Sequence, residues 1–219
     1  MKTVMITGAN RGIGLALATQ YVERGDRVIA CCRKATPSLV KLDLELVENL
    51  DVSSWKAVKQ LGPALENREI DVLINNAGIL HEETIHDMDF ETIREQFNVN
   101  ALGPLMTTQS VLPSLRAGSV VVMMSSQAGS MSDNSNGGLY GYRMSKAALH
   151  AATVSLSRDL KRREVGVIAV HPGLVATLMT KNKGMTPDDS AKEIIYSIDK
   201  FKFEDTGKFF HANGTSLDW

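Results

Sequence analysis

The chain has 219 residues, of which 43% are hydrophobic and 22% charged, and its formal net charge is −1. This length allows one substantial core and is short for two independent domains, so we expect one domain over residues 1–219. A balanced charge without a basic block predicts no nucleic-acid partner. No apolar stretch approaches the roughly 18 residues of a membrane span, and no secretory signal is recognisable. We therefore expect a cytoplasmic protein with no membrane partner.

Short apolar segments alternate with longer amphipathic segments along the chain. Several short segments lack polar alternation, which is typical of parallel strands covered on both faces. The predicted strands are residues 3–7, 27–32, 47–50, 72–75, 119–125, 165–171 and 208–211. The predicted helices are residues 13–24, 54–65, 90–115, 140–163 and 190–201. This order predicts an α/β fold, a single-domain Rossmann-type, doubly wound parallel sheet of about seven strands flanked by helices.

A glycine-rich turn, GANRGIG at residues 8–14, joins the first predicted strand to the first predicted helix. Glycines let the backbone turn tightly and approach a ligand, and a helix N-terminus offers free N–H groups to a pyrophosphate. The spacing G-x-x-x-G-x-G differs from the common dinucleotide fingerprint G-x-G-x-x-G. A purely structural turn is the alternative, but the position at the first strand–helix junction favours dinucleotide binding.

The choice of cofactor can be argued from charge. The second predicted strand ends in Cys31, Cys32 and Arg33, without the acid that would bind ribose hydroxyls. An arginine there can accommodate a 2′-phosphate, and Arg11 lies in the glycine turn. The charges therefore predict NADP(H) as the cofactor, with NADPH preferred over NADH, although a solvated arginine at a strand end is an alternative. The adjacent cysteines have neither disulfide geometry nor metal-ligand spacing, and we expect no metal site.

Tyr142 and Lys146 are four residues apart in a predicted helix and therefore share one of its faces. A tyrosine titrates near pH ~10, and a nearby positive charge lowers that pKa. The pair can act as a general acid or base, although this spacing often occurs by chance. Tyr140 lies two residues earlier but has no lysine four positions later. Two strands that end in SSQAG (125–129) and NNAG (75–78) supply hydroxyls and small residues at the edge where such folds bind ligands.

The sequence closely resembles the short-chain dehydrogenases/reductases in motifs that occur in family order over nearly the whole chain. These are TGANRGIG at 7–14, LDV at 50–52, NNAG at 75–78, NVNALG at 98–103, SSQAG at 125–129, YRMSK at 142–146 and HPGLVAT at 171–177. The ending GKFFHANGTSLDW and the segment GGLYGYRMSKAAL look like the carbonyl-reductase branch that contains the sniffer and C-factor proteins.

The resemblance implies a catalytic tetrad of Asn100, Ser126, Tyr142 and Lys146. Tyr142 would protonate the substrate carbonyl, and Ser126, rather than Ser125, would hold its oxygen by a hydrogen bond. Lys146 would bind the nicotinamide ribose and lower the pKa of Tyr142, while Asn100 would hold a water that links Lys146 to solvent. The implied function is NADPH-dependent reduction of a small aldehyde or ketone by hydride transfer.

The resemblance and the charge argument together also imply a set of cofactor-binding residues. Within it, Asp51 would bind the adenine amino group, although it could instead cap the next helix in competition with Ser53 or Ser54. Val175 would offer its backbone to the carboxamide. The full set is Gly8, Asn10, Arg11, Gly12, Ile13, Gly14, Arg33, Asp51, Val52, Asn76, Ala77, Gly78, Tyr142, Lys146, Pro172, Gly173, Val175 and Thr177.

Further expectations concern the histidines, the substrate region and assembly. His171 is interpreted as a packed or capping residue, and four others are predicted to lie at the surface: His81, His86, His150 and His211. Residues 178–189 would form a short lid over an open pocket. Family members usually pair through helices corresponding to residues 90–115 and 140–163, so a homodimer or homotetramer is expected. The alternatives are a nucleotide-binding signalling protein of the C-factor type, in which turnover is secondary, and a dehydratase or epimerase on the same fold.

Overall fold

The computed structural model describes all 219 residues, and eight strands form its central sheet. They are β1 (Thr3–Thr7), β2 (Arg27–Cys31), β3 (Glu45–Val47), β4 (Ile70–Asn75), β5 (Leu115–Met124), β6 (Gly166–His171), β7 (Phe209–His211) and β8 (Ser216–Leu217). Their order in space is β3-β2-β1-β4-β5-β6-β7-β8, and only β7 and β8 pair antiparallel. The predicted α/β fold with a doubly wound, mostly parallel sheet is confirmed, with eight strands rather than seven.

Helices cover both faces of this sheet. They are α1 (Gly12–Glu23), α2 (Pro37–Val40), α3 (Trp55–Val58), α4 (Leu61–Ala64), α5 (Phe90–Phe97), α6 (Gly103–Ser110), α7 (Tyr140–Asp159) and α8 (Pro187–Lys200). Successive side chains of β1 enter opposite layers, since Val4 and Ile6 belong to the core formed with α1 and α8, and Met5 to the core formed with α3, α4 and α7. Burial on both faces explains the continuous apolar strands. None of the helices combines the length and apolarity that crossing a bilayer requires.

The predicted helix 90–115 is wrong as a single element. α5 is followed by a π-helical turn, Asn98–Leu102, and only then by α6. Pro104 in the first turn of α6 has no N–H to continue the α-helical hydrogen-bond pattern, and the wider π turn lies directly before this helix. The segment does not end in a helix either, because Leu115 pairs with Ile70 and begins β5.

Other element boundaries differ from the predictions for local reasons. The predicted helix 54–65 splits into α3 and α4, the second of which contains Pro63. β3 ends at Val47 rather than at residue 50, because Asn49 has a φ of 60°, in the left-handed region that a strand does not contain. β8 consists of two residues and was not predicted. The connection between β2 and β3 holds only the four-residue α2.

The loops that carry the sequence motifs leave the carboxyl ends of the parallel strands. The chain runs from β1 outward to β2 and β3, then returns to place β4 on the other side of β1. The winding therefore reverses between β1 and β4, and ligands of doubly wound sheets bind outside the strand ends at such a point. This topology brings the glycine turn, the NNAG loop and the SSQAG loop to one edge of the sheet.

Candidate active site

A cleft of about 660 Å³ opens at this edge of the sheet. All of the expected cofactor-binding residues line it except Gly173 and Val175. Gly173 lies against the His211 ring, and Val175 is buried, with its carbonyl accepting a hydrogen bond from Thr180 Oγ1. The cleft therefore collects residues from the loops after six different strands and from α7.

The glycine turn at one end of the cleft is held tightly against the loop after β4. Asn76 Nδ2 donates to the carbonyl oxygens of Thr7 at 3.0 Å and of Gly8 at 3.2 Å. A Cβ on Gly14 would lie 2.2 Å from the Gly8 oxygen, and one on Gly8 would lie 2.9 Å from Ala77 Cα. α1 starts without a side-chain cap, so the N–H groups of its first turn keep their capacity for an anion. These features fit the pyrophosphate of a dinucleotide.

Two arginines flank this end of the cleft. Arg11 and Arg33 are both exposed and both line the cleft. Neither takes part in an ion pair with a carboxylate. Asp51 also lines the cleft, and its carboxylate accepts from the backbone N–H and hydroxyl of Ser53, whereas Ser54 caps α3. Two free guanidiniums offer the paired donors that a phosphate monoester accepts.

Tyr142 and Lys146 extend from α7 at the other end of the cleft. Lys146 is 5% exposed, and its Nζ donates to the Met124 carbonyl oxygen at 2.8 Å. The same Nζ lies 5.6 Å from the centroid of the Tyr142 ring. Ser126 hydrogen bonds with the Tyr142 phenol, and its hydroxyl oxygen accepts from the Ala128 N–H at 3.1 Å. Three of the four predicted catalytic residues thus meet at the carboxyl end of β5.

Burial is the main cause of the pKa shifts of Tyr142 and Lys146. It raises the pKa of Tyr142, and the hydrogen bond with Ser126 lowers that pKa in part. Burial also lowers the pKa of Lys146 from 10.5 to about 8. The resemblance implies that Lys146 lowers the pKa of Tyr142. In this structure the hydrogen bond with Ser126 lowers that pKa instead, and the increase caused by burial is larger. The phenol is therefore protonated at neutral pH, which is the form that donates a proton.

Asn100, the fourth member of the predicted tetrad, lies in the π-helical turn and is fully buried. Its Nδ2 donates to the Ile79 carbonyl oxygen at 2.8 Å and to Ser145 Oγ at 3.0 Å, and its Oδ1 accepts from the Ile79 N–H at 2.9 Å. The side chain therefore fixes the segment after NNAG to α7, next to the catalytic pair. π turns of this kind often occur at functional sites.

The prediction that His150 lies at the surface is wrong. Its side chain is 5% exposed, and its Nε2 is 2.7 Å from Ser125 Oγ. Its ring packs against those of Phe209 and Trp219, with centroids 4.6 Å and 4.9 Å away. Burial and the Lys146 charge lower the pKa of His150 to about 4, so the imidazole is neutral at neutral pH. The sequence held one usable signal, because a residue four positions after Lys146 shares its helix face.

The outer part of the cleft is mainly apolar. Its wall contains Ile79, Leu80, Val99, Leu178 and Met179. Leu178 and Met179 belong to the predicted lid segment, where they form a short 3₁₀ turn, and Leu178 is 72% exposed. An exposed ion pair joins this segment to the loop after β4, with Lys181 Nζ 2.9 Å from Glu82 Oε1.

Comparisons with known proteins agree with this geometry. The family model described as short chain dehydrogenase matches residues 2–188. A 1-hydroxy-2-glutathionyl-2-methyl-3-butene dehydrogenase from Rhodococcus sp. (strain AD45) is 35% identical over an alignment of 226 residues that covers 100% of both chains. The C-signal protein of Myxococcus xanthus is 40% identical over 154 residues, which cover 68% of this chain and 93% of that protein.

Solved structures give the same result. An NADPH-bound carbonyl reductase from chicken fatty liver superposes with a TM-score of 0.91 at 28% identity, covering 100% of this chain and 99% of that chain. The carbonyl reductase Sniffer of D. melanogaster superposes with a TM-score of 0.91 at 28% identity, covering 100% of both chains.

Proposed function

Because the chain belongs to the short-chain dehydrogenase family, we propose that it is an oxidoreductase that uses NADP(H) to reduce an aldehyde or ketone. The observation that carries this proposal is that Tyr142 and the buried Lys146 line one end of a cleft together with Ser125, while Ser126 lies next to the Tyr142 phenol. The other end of the same cleft is a glycine turn that leads into an uncapped helix. One end suits proton transfer and the other suits a dinucleotide.

NADP(H) is the proposed cofactor because of the charges around the glycine turn. The pyrophosphate would lie at the N-terminus of α1, and Arg11 and Arg33 would bind the 2′-phosphate. The NADPH in the chicken carbonyl reductase supports this choice, since that enzyme shares the fold over its whole length. Asp51 would reach the adenine and Lys146 the nicotinamide ribose. When bound, the cofactor supplies the hydride, and the protein orients it against the substrate.

The side chains of the catalytic end would move and hold the proton. Tyr142, protonated at neutral pH, would give its proton to the carbonyl oxygen. Ser126 Oγ accepts from the Ala128 N–H, so its own hydrogen, which bonds the Tyr142 phenol here, would donate to the same carbonyl oxygen once a substrate is bound. The Lys146 ammonium would stabilise the phenolate that remains. Asn100, which packs beside this pair, would hold a water through which the phenol regains a proton.

The proposed substrate is a small carbonyl compound with an apolar body. Ile79, Leu80, Val99 and Met179 form an apolar wall beside the catalytic end of the cleft. Two polar side chains also line the cleft, His81 and Glu95, and His81 Nε2 lies 3.5 Å from Glu95 Oε2. An apolar wall next to a proton donor favours substrates whose only polar group is the carbonyl.

A second copy of the chain is the proposed protein partner. Phe90 is 62% exposed, Phe97 37% and Met144 53%, and these residues lie on α5 and α7. Exposed apolar side chains on neighbouring helices favour an interface. A homodimer or homotetramer through these helices is therefore the proposed assembly.

The experiment that tests the function is NADPH oxidation with a panel of quinones, aldehydes and diketones, repeated with NADH. We expect turnover with NADPH at a catalytic efficiency at least about tenfold above that with NADH, as loss of one charged hydrogen bond implies. A second arm, oxidation of alcohols including glutathione conjugates with NADP⁺, follows from the name of the Rhodococcus relative. If no carbonyl compound is reduced in the first arm and no alcohol is oxidised in the second, the proposal is contradicted.

The signalling alternative gains support from the similarity to the C-signal protein. It predicts NADP(H) binding without turnover in both arms of the panel. A dehydratase or epimerase would instead convert its substrate without net consumption of the cofactor. The cofactor assay therefore separates the reductase from the other two functions, and these two differ in whether a substrate is converted at all.

A further inference from the structure

Glu83 is a buried carboxylate that the proposed chemistry does not use. It follows the NNAG loop, is 3% exposed and forms no ion pair. Its Oε2 accepts from the Gly141 N–H at 3.2 Å, and its Oε1 accepts from Gln96 Nε2. A buried charge is costly unless its hydrogen-bonding capacity is filled. Here the N-terminus of α7 supplies both a free N–H and the positive end of the helix dipole.

Gln96 completes this arrangement from α5. It is fully buried, and its Oε1 accepts from the His81 N–H at 2.9 Å. The Glu83 carbonyl oxygen also accepts from the Leu139 N–H at 2.9 Å, directly before α7 begins. Leu139, the N-cap residue, makes no side-chain cap, so Glu83 takes that role from a distant part of the chain. We call Glu83, Gln96 and the two N–H groups that they bind the Glu83 clamp.

The clamp is packed directly against the backbone that precedes Tyr142. A Cβ on Gly141 would lie 2.4 Å from Gln96 Nε2 and 3.0 Å from Glu83 Oε1, so no larger residue fits there. Tyr142 is the next residue in the same helical turn. On the other side the clamp holds His81, which lines the cleft together with Ile79. The clamp therefore joins the wall of the cleft to the start of the catalytic helix.

We propose that Glu83 is a positioning residue that, through Gln96 and the Gly141 N–H, fixes the Tyr142 phenol relative to the substrate wall of the cleft. The inference rests on the proposed role of Tyr142 as the proton donor. Proton transfer needs the phenol within hydrogen-bonding distance of the carbonyl, and a displacement of about 1 Å can lower a rate about 100-fold. Loss of the clamp therefore lowers the rate of chemistry more than it weakens cofactor binding.

The hydrogen-bond pattern of the clamp provides an unusually specific test. Glu83→Gln keeps the side-chain shape but replaces an acceptor by a donor. Whichever way the two amides then turn, either the Gly141 or the His81 N–H loses its acceptor, or the two amide NH2 groups face each other as donors. The double exchange Glu83→Gln/Gln96→Glu restores every bond. In this double variant the amide oxygen at position 83 accepts from the Gly141 N–H, and the amide NH2 donates to the carboxylate at position 96. The other oxygen of that carboxylate accepts from the His81 N–H. Glu66→Gln is the matched control, since Glu66 is exposed, forms no ion pair and does not line the cleft.

We expect kcat of Glu83→Gln to fall at least about tenfold, the effect of one unsatisfied buried group. Its Kd for NADPH should stay within about twofold of the parent value, and Glu66→Gln should match the parent in both kcat and Kd. The exchange variant should recover kcat to within about threefold. Amide hydrogen exchange at Gly141 or at His81 should accelerate in Glu83→Gln and slow again in the exchange variant, a readout that needs no substrate.

Parent-like kcat in Glu83→Gln, with only a lower melting temperature, would overturn the inference because the clamp would then be purely structural. A folded exchange variant whose kcat stays low would overturn it too. If Glu83→Gln does not fold, the exchange variant decides alone, and its failure to fold also counts against the clamp. Inactivity of the parent protein would instead contradict the proposed function, while exchange at Gly141 still reports on the clamp.

Discussion

The two ends of the cleft are built from different kinds of groups. The cofactor end consists of backbone brought close at Gly8 and Gly14, with exposed arginines beside it. The catalytic end consists of polar side chains that are almost completely buried, such as Lys146, Asn100 and Glu83. Exposed donors and open backbone control how tightly a ligand is held, whereas burial controls the protonation and position of a reacting group. Substitutions at the first end should therefore change affinity, and those at the second should change rate.

Lys146→Met should have a large effect on the rate and tests the catalytic end. It keeps the side-chain length but removes the ammonium, so kcat should fall about 10²- to 10⁴-fold, the usual contribution of acid–base catalysis. Kd for NADPH should rise less than about tenfold. Lys161→Met, at an exposed site beyond α7, is the control. A larger change in Kd than in kcat would contradict the assignment of affinity to the cofactor end and of rate to the catalytic end.

The same variant also tests the titration of Lys146. Because burial lowers its folded pKa from 10.5 to about 8, the charged lysine destabilises the fold. This penalty is present in full below the folded pKa and disappears as the pH rises toward the unfolded value. Urea unfolding at about pH 7 and about pH 10 should show the parent gaining stability relative to Lys146→Met. Parallel pH dependence of the two proteins would contradict the lowered pKa.

Gly14→Ala tests the backbone of the cofactor end. Its Cβ would lie 2.2 Å from the Gly8 oxygen, so the turn must open and its N–H groups move away from the pyrophosphate. We expect Kd for NADPH to rise about 10- to 100-fold, with a smaller change in kcat at saturation. Gly25→Ala is the control, because Gly25 has a positive φ but nothing lies within 4 Å of its Cβ. Unchanged affinity in Gly14→Ala would exclude this turn as the cofactor site.

Arg33→Ala should have a smaller and more selective effect. KM for NADPH should rise at least about tenfold, because a charged hydrogen bond to the 2′-phosphate is lost. KM for NADH should stay the same, since that cofactor has no phosphate at this position. The exposed neighbour Lys34 provides the control as Lys34→Ala. An equal rise in KM for both cofactors would show that Arg33 does not bind the 2′-phosphate.

The smallest effect concerns stability in acid. The His150 pKa is about 4 in the fold against 6.5 unfolded, so the unfolded chain binds a proton that the fold excludes. Stability should therefore fall as the pH drops from the unfolded toward the folded value, by at most about 1.4 kcal/mol per pH unit from this residue. His150→Gln, which does not titrate, should reduce that slope, whereas His86→Gln at an exposed site should not. An unchanged slope in His150→Gln would place the acid sensitivity elsewhere.

More of the cofactor end than of the catalytic end could be predicted from the sequence. The glycine turn and the strand before it are contiguous, so their sequence predicts both the turn and its place at the sheet edge. The continuous apolar strands likewise predicted the parallel sheet, since burial on both faces leaves no polar alternation. The break between α5 and α6 was not predicted, because the apolar periodicity continues across the π turn at Asn98–Leu102.

The buried polar groups had weak signals in the sequence or none. Histidine is intermediate in burial, so His150 could be placed correctly only by its spacing from Lys146. Glu83 lies 13 residues from Gln96 and 58 from Gly141, and no local pattern connects them. Such contacts depend on which helices the tertiary fold places side by side. Sequence motifs indicated the reacting residues, but the groups that hold them in place became visible only in the structure.

The role of Tyr142 as the proton donor is tested most directly by a comparison of Tyr142→Phe with Tyr140→Phe. For both proteins, kcat and the Kd for NADPH should be measured with the best carbonyl substrate of the panel. Tyr142→Phe should lose at least about 10²-fold in kcat and bind NADPH within about twofold of the parent. Tyr140→Phe should resemble the parent in both. Retained turnover in Tyr142→Phe would contradict the assignment of this phenol as the proton donor.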